Sequence, residues 1–293
     1  MDKIIPPLNR NSLPAPGSLW AGLNGKLRIL APRLHNRSRN FVLNSNLLGD
    51  KILHLDRNFL QMHGLAKQVY ARTGGRISYG PFRGMDCNSW PLPSARFNAY
   101  LLGSYESSLH AFIEALLKRN YKQMVDIGCA DGYYAVGLAL RQPGMVHAFD
   151  LLPEKRRECA RLARHNAVAS RVVLYGTCSL EKLRELNLRQ GLVFSDCEGA
   201  EWDLLDPAQV PQLTESDLLV ELHELFRPGV TAVLHARFSS THDITIVPAA
   251  DFDPSSHPLL ASLPSEQRWL AARDYRPCGM AWAIFIRKSS PLQ

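Results

Sequence analysis

Residues 124–138, Met-Val-Asp-Ile-Gly-Cys-Ala-Asp-Gly-Tyr-Tyr-Ala-Val-Gly-Leu, read as a short buried strand, a tight glycine turn and the opening of a helix. An open α/β sheet uses that unit to present backbone N–H groups to a small ligand. Asp126 closes the strand. Gly128 and Gly132 let the backbone turn, and let it approach a ligand with no Cβ in the way. About twenty residues on, a second apolar run, Met145 to Phe149, ends in Asp150. A carboxylate in that place can accept hydrogen bonds from both hydroxyls of a ribose.

The turn does not have the G-x-G-x-x-G spacing of dinucleotide sites, since Gly128 is followed by Ala130, Asp131 and Gly132. It fits D-x-G-x-A-x-G and so resembles a variant of the first motif of class I S-adenosylmethionine (SAM) methyltransferases, with Ala130 at the middle glycine.

The segments after residue 120 alternate. Strands are expected at 123–127, 145–149, 172–175, 192–195, 218–222, 244–247 and 281–286. Helices are expected at 132–141, 153–167, 179–187, 200–206, 229–238 and 265–273. Six βα units and a last strand define a doubly wound sheet. Upstream, residues 1 to about 20 are rich in Pro, Asn and Ser and are expected to lack regular structure. Helical spacing runs through 41–71 with a break at Gly49-Asp50, residues 74–98 read as a short strand and loops, and 105–119 as a helix. The chain is thus expected to divide into a mainly helical accessory or lid region, 1–99, and a catalytic domain, 100–293.

Charge follows that division. Residues 1–99 hold fourteen Lys and Arg against four Asp and Glu, and the remainder twenty against twenty-three. A basic region of that kind is either a solvated accessory surface or a contact for an anionic acceptor, nucleic acid or membrane surface. Arg76 and Arg83 lie among glycines and aromatics just before the second domain and could meet an anionic or polyhydroxylated acceptor. The six cysteines form no C-x-x-C pair, which argues against a zinc site and for reduced thiols in a cytoplasmic setting. No apolar run approaches the roughly 20 residues of a membrane span, and no signal peptide is read at the N-terminus.

Two more segments carry chemistry. Asp196-Cys197-Glu198-Gly199-Ala200-Glu201 follows the fourth strand, at the edge where open α/β sheets bind ligands. Asp196 is best placed to face a cofactor's transferable group. Glu198 and Glu201 could position an acceptor hydroxyl or take its proton, or they could cap the next helix. The fifth strand ends Val220-Glu221-Leu222-His223-Glu224, where His223 could act as a base near neutral pH or be structural. Asp196 with Glu198 could hold a divalent ion through oxygen ligands, but no Asp-Asn pair accompanies them and no metal is expected.

Together, Asp-Ile-Gly, Phe-Asp, Asp-Cys-Glu-Gly-Ala-Glu and Val-Glu-Leu-His occur in the order that resembles the FkbM family of SAM-dependent methyltransferases, over about residues 103–225. Gly103-Ser104-Tyr105-Glu106 is similar to the glycine-then-acid segment just before that family's first motif. The resemblance implies a Rossmann-like sheet of order 3-2-1-4-5-7-6 with strand 7 antiparallel. It implies SAM across Asp126, Gly128, Ala130, Asp131 and Gly132, its ribose on Asp150, its adenine near Leu151, Cys178 and Ser179, and Asp196 beside the methyl group. It also implies O-methylation of a small-molecule or glycan hydroxyl, with Glu198, His223 and Glu201 as catalytic candidates. An RNA-directed enzyme, and a SAM-binding module without turnover, are the competing readings.

Overall fold

In a computed structural model the described residues are 57–90, 95–274 and 280–288. The expectations for residues 1–20 and 41–56 lie outside them. All described residues belong to one compact unit that begins at Arg57.

Seven strands form one sheet: β1 (Gln123–Ile127), β2 (Met145–Phe149), β3 (Val172–Tyr175), β4 (Leu192–Ser195), β5 (Asp217–Leu222), β6 (His242–Pro248) and β7 (Ala281–Arg287). Their spatial order is β3-β2-β1-β4-β5-β7-β6. β1 pairs in parallel with β2 and β4, β4 with β5 and β2 with β3, while β7 runs antiparallel to both β5 and β6. The doubly wound, Rossmann-like fold and the strand order expected from the sequence are the observed ones.

Central strands read as unbroken apolar runs because helices cover both of their faces. Every residue of β4 and β5 is buried. One face carries α1 (Arg57–Thr73), α2 (Ala95–Leu102), α3 (His110–Leu117), α4 (Tyr133–Arg141), α5 (Pro153–His165) and α9 (Ser265–Ala272), packed through Met124, Val146, Phe194 and Trp282. The other face carries α6 (Leu180–Glu185), α7 (Glu201–Leu204) and α8 (Val230–Phe238), packed through Val125, Val193 and Val220.

Three local features differ from the sequence reading. Residues 105–119 form a 3-10 turn (Ser107–Leu109) and then α3, because Glu106 and Asn120 take left-handed φ values of 48° and 55° and close the helix from both ends. The strand expected in 74–98 is a single antiparallel bridge, Arg76 to Asp86, and α2 begins at Ala95. Leu65, Val69, Ile77, Phe82 and Met85 belong to the same core cluster as Met124 and Phe194. No packing seam therefore separates described residues before position 99 from the sheet.

Candidate active site

The turn after β1 is tied to the end of β2. Gly128 and Cys129 both donate to the Phe149 carbonyl, at 2.8 and 2.9 Å. The Asp150 carboxylate accepts from the Ala130 amide at 3.0 Å and from the Leu152 amide at 2.8 Å. Asp150 thus braces the loop. Ala130 holds φ 46°, a conformation that costs an L residue about 1–2 kcal/mol. The Asp131 carbonyl accepts from the Trp90 indole at 3.2 Å, so the segment before α2 touches the loop.

The two glycines serve the protein's own packing. A Cβ on Gly128 would sit 1.8 Å from the Asp196 carbonyl oxygen, and one on Gly132 would sit 2.8 Å from the Cys159 sulfur. The first contact locks the loop after β1 against the acidic segment after β4. Both glycines also have φ near +95°, which favours glycine in its own right.

Asp126 is wholly buried, and neither carboxylate oxygen has a hydrogen-bond partner. Burial, then the charges of Asp196 and Asp150, push its pKa well above the usual carboxylate range, and the Ala135 amide opposes this only weakly from outside hydrogen-bond geometry. Leu151 is 48% exposed beside Asp150 and offers an apolar surface. Cys178 is partly buried against the second core, and burial pushes its thiol up to about 12. Ser179 is the N-cap of α6, accepting from the Lys182 amide at 3.2 Å, so its side chain is already committed.

Asp196 leaves β4 with its amide on the Ile127 carbonyl, 2.9 Å away. The chain then turns sharply: Glu198 and Gly199 hold consecutive left-handed φ values of 59° and 96°. A carboxylate residue in that region is a strained position of the kind that gathers at functional sites. The turn carries Glu198 outward and folds Glu201 back. Glu201 is fully buried, and its Oε1 accepts from the Cys197 amide at 3.0 Å and contacts His223 Nδ1 at 2.8 Å. The choice between helix capping and chemistry resolves into neither alone: Glu201 braces its own turn and orients the His223 ring.

His223 is 1% exposed at the end of β5. Its Nε2 lies 3.4 Å from Glu221, 3.5 Å from Asp196 and 3.9 Å from Glu198. Burial opposes a charged ring, but the Glu201 hydrogen bond and charge, reinforced by Asp196 and Glu198, outweigh it and raise the pKa. Burial likewise opposes ionised Glu201, and the bond and charge of His223 outweigh it, so Glu201 titrates low. Glu221 is driven the other way, far above its ordinary value, by burial and by Asp196, Glu198 and Glu201. The shifts of His223 and Glu201 favour a charged buried pair, and those on Glu221 favour its protonated form. Phe226 stacks on the ring at 5.8 Å and is 40% exposed, forming an apolar lip.

The fold therefore gathers Asp126, Asp150, Asp196, Glu198, Glu201 and His223 at one edge of the sheet. Glu224 leaves this group, because its carboxylate caps the start of α8 by accepting from Gly229 and Thr231 at 2.7 and 2.8 Å. Glu221 joins it. The signal was present, since strand residues two apart share a face and Glu221 is two before His223. Glu106 also joins the polar interior, with a left-handed backbone and an acceptor role to the Tyr134 hydroxyl. Arg76 is held by Asp86 at 2.6 Å, and Asp86 also meets His165 at 2.8 Å. That cluster latches the 74–90 segment to α5; Arg76 and Arg83 are both exposed, Arg76 with Asp86 as its partner.

The expectation of no metal considered Asp196 and Glu198 alone. β5 brings Glu221 and His223 to Asp196, and the ligand atoms of these three residues lie within 4.8 Å of one another. Among the described residues no helix is long and apolar enough to cross a membrane.

No family model matches the chain, and no curated protein matches it. Solved structures do. A protein described as an rRNA methylase from Clostridium thermocellum is 12% identical over 63% of this chain and 97% of its own, with a TM-score of 0.45. An O-methyltransferase from Streptomyces achromogenes, solved with SAM, is 14% identical over 77% and 89%, with a TM-score of 0.42. An O-methyltransferase from Bacillus cereus, solved with SAH, is 12% identical over 67% and 92%, also at 0.42. The fold assignment rests on the strand order itself.

Proposed function

We propose that this protein is a class I SAM-dependent methyltransferase of FkbM type that methylates a hydroxyl of a sugar, lipid or small natural product. The observation that carries this is the convergence, at the carboxyl edge of β1, β2, β4 and β5, of an unpartnered buried Asp126, the loop-bracing Asp150 and the acid–imidazole cluster. These residues fit the group. Asp126 offers a buried carboxyl, Asp150 a half-buried acceptor and Leu151 an exposed apolar face, as a nucleoside cofactor requires. The loop residues 128–132, Asp150, Leu151 and Cys178 would hold the cofactor; Ser179 contributes by capping α6.

SAM supplies a methyl group already activated on a sulfonium. The protein's work is orientation and proton removal. Glu198 is 44% exposed at its side chain and stands over His223, so it takes the acceptor's hydroxyl proton. Glu201 and His223 keep the turn rigid beneath Glu198. A site with this many carboxylates repels a phosphate backbone, which argues against the RNA-directed reading. The segment 74–90 provides the acceptor-side wall, with Trp90 at the cofactor loop.

Calorimetry with SAM and SAH, followed by labelled methyl transfer to sugars, lipids, phenols and RNA, tests the proposal. We expect SAM binding and turnover on an uncharged hydroxyl acceptor. A folded protein that fails to bind SAM would end this reading, and turnover on RNA would replace its acceptor.

A further inference from the structure

We infer that Asp196, Glu221 and His223 form a site for one divalent transition ion, of the Mn²⁺-to-Zn²⁺ kind, at the acceptor side of the pocket. The inference rests on the proposed reaction only for what the ion does; the binding is a separate property.

The His223 ring is fixed. Nδ1 faces Glu201 at 2.8 Å, which leaves Nε2 as the atom turned toward the acids. A buried carboxylate that holds one imidazole nitrogen so that the other can bind a metal is the usual outer partner of a histidine ligand. Nε2 lies 3.4 Å from Glu221 and 3.5 Å from Asp196. Those separations are long for an N–H···O⁻ bond, which sits at about 2.7–2.9 Å. They match the spacing of two ligand atoms that share an ion: bonds of about 2.1 Å in tetrahedral geometry put neighbouring ligands about 3.4 Å apart.

A second observation lies outside this set. Asp126 is completely buried and its oxygens have no hydrogen-bond partner. It pairs in register with Phe194, and Asp196 is two residues further along, so alternation puts both acids on one face of the sheet. A buried carboxyl with no hydrogen-bond partner beside Asp196 is a group that a nearby cation would satisfy. One imidazole with carboxylates suits first-row transition ions better than Mg²⁺ or Ca²⁺, which take oxygen ligands. Three protein ligands leave positions open toward exposed Glu198, where an acceptor hydroxyl could reach the ion and become more acidic.

Titration of the full-length protein with Co²⁺ in the absence of SAM tests the site. We expect one equivalent to bind, with visible bands of nitrogen and oxygen coordination and no thiolate charge-transfer band. Asp196→Asn, at a half-exposed position that leaves the core intact, should weaken binding at least tenfold, and His223→Gln should do so more strongly. Glu201→Gln, an outer-partner change, should cost about 10–100-fold. Absence of Co²⁺ and Mn²⁺ binding at millimolar concentration in a protein that binds SAM would overturn the metal site and leave the methyltransferase reading standing. A thiolate band, or unchanged affinity in folded Asp196→Asn and His223→Gln, would equally overturn it. Metal binding without SAM binding would sink the methyltransferase reading instead.

Discussion

Replacing Gly128 by alanine perturbs the joint between the two halves of the site. The new Cβ would lie 1.8 Å from the Asp196 carbonyl oxygen, and real Cβ contacts essentially never fall below 3.0 Å. Backbone must therefore move by more than an ångström, and no flexible side chain is available to yield. The residue would also hold φ 94°, which adds about 1–2 kcal/mol for an L side chain. Overpacking adds typically about 1–3 kcal/mol. The two together give a loss of about 2–5 kcal/mol, or roughly 5–15 °C in Tm for a domain of this size. Urea unfolding of wild type and Gly128→Ala measures the loss. Gly176→Ala serves as the control, because a Cβ there meets nothing within 4 Å, and it should stay within about 0.5 kcal/mol. A Gly128→Ala protein as stable as the control would show that the loop after β1 and the segment after β4 are not locked together, and the argument from that contact would fall.

Asp150→Ala should weaken SAM binding more than tenfold and also lower stability, because the Ala130 and Leu152 amides lose a charged acceptor at about 1.5–3 kcal/mol each; calorimetry and urea melts that show neither effect would refute it. Glu198→Gln should cut single-turnover rates far more than SAM affinity, and a wild-type rate would remove Glu198 as the proton acceptor. The His223–Glu201 pair should stabilise the fold most between pH 4.5 and 6.5, the ordinary carboxyl and imidazole values. A raised imidazole loses its contribution as pH climbs through its folded value, and a depressed carboxyl loses its own as pH falls through its folded value; a gap between wild type and His223→Gln in urea midpoint that widens steadily at alkaline pH would contradict this. Deleting residues 1–56, which precede the compact unit, should leave SAM binding intact and change acceptor preference; identical rates on one acceptor would deny that segment a part in specificity.

Much of the fold was legible in the residues because its signals are local. A buried strand, a glycine turn and a helix follow one another within 124–138, and period-two and period-3.6 patterns need only neighbours to be read. Boundaries shifted where backbone conformation intervened, as at Glu106, whose left-handed φ no pattern of apolar residues announces. Asp126 and Asp150 were legible for the same reason: each lies within one residue of the end of a recognisable strand. The partners of side chains were not. Glu201 and His223 are twenty-two positions apart and meet only because β4 and β5 are adjacent. Glu198, Glu201 and Glu224 look alike in sequence, yet one stands exposed over the ring, one is buried beneath it and one caps α8. Sequence by itself determined which strands form, since hydrophobic burial acts on each segment's own pattern. Tertiary structure alone decided which acid is charged, which is protonated and which orients the imidazole, because ionisation depends on burial and on charges brought close by distant segments.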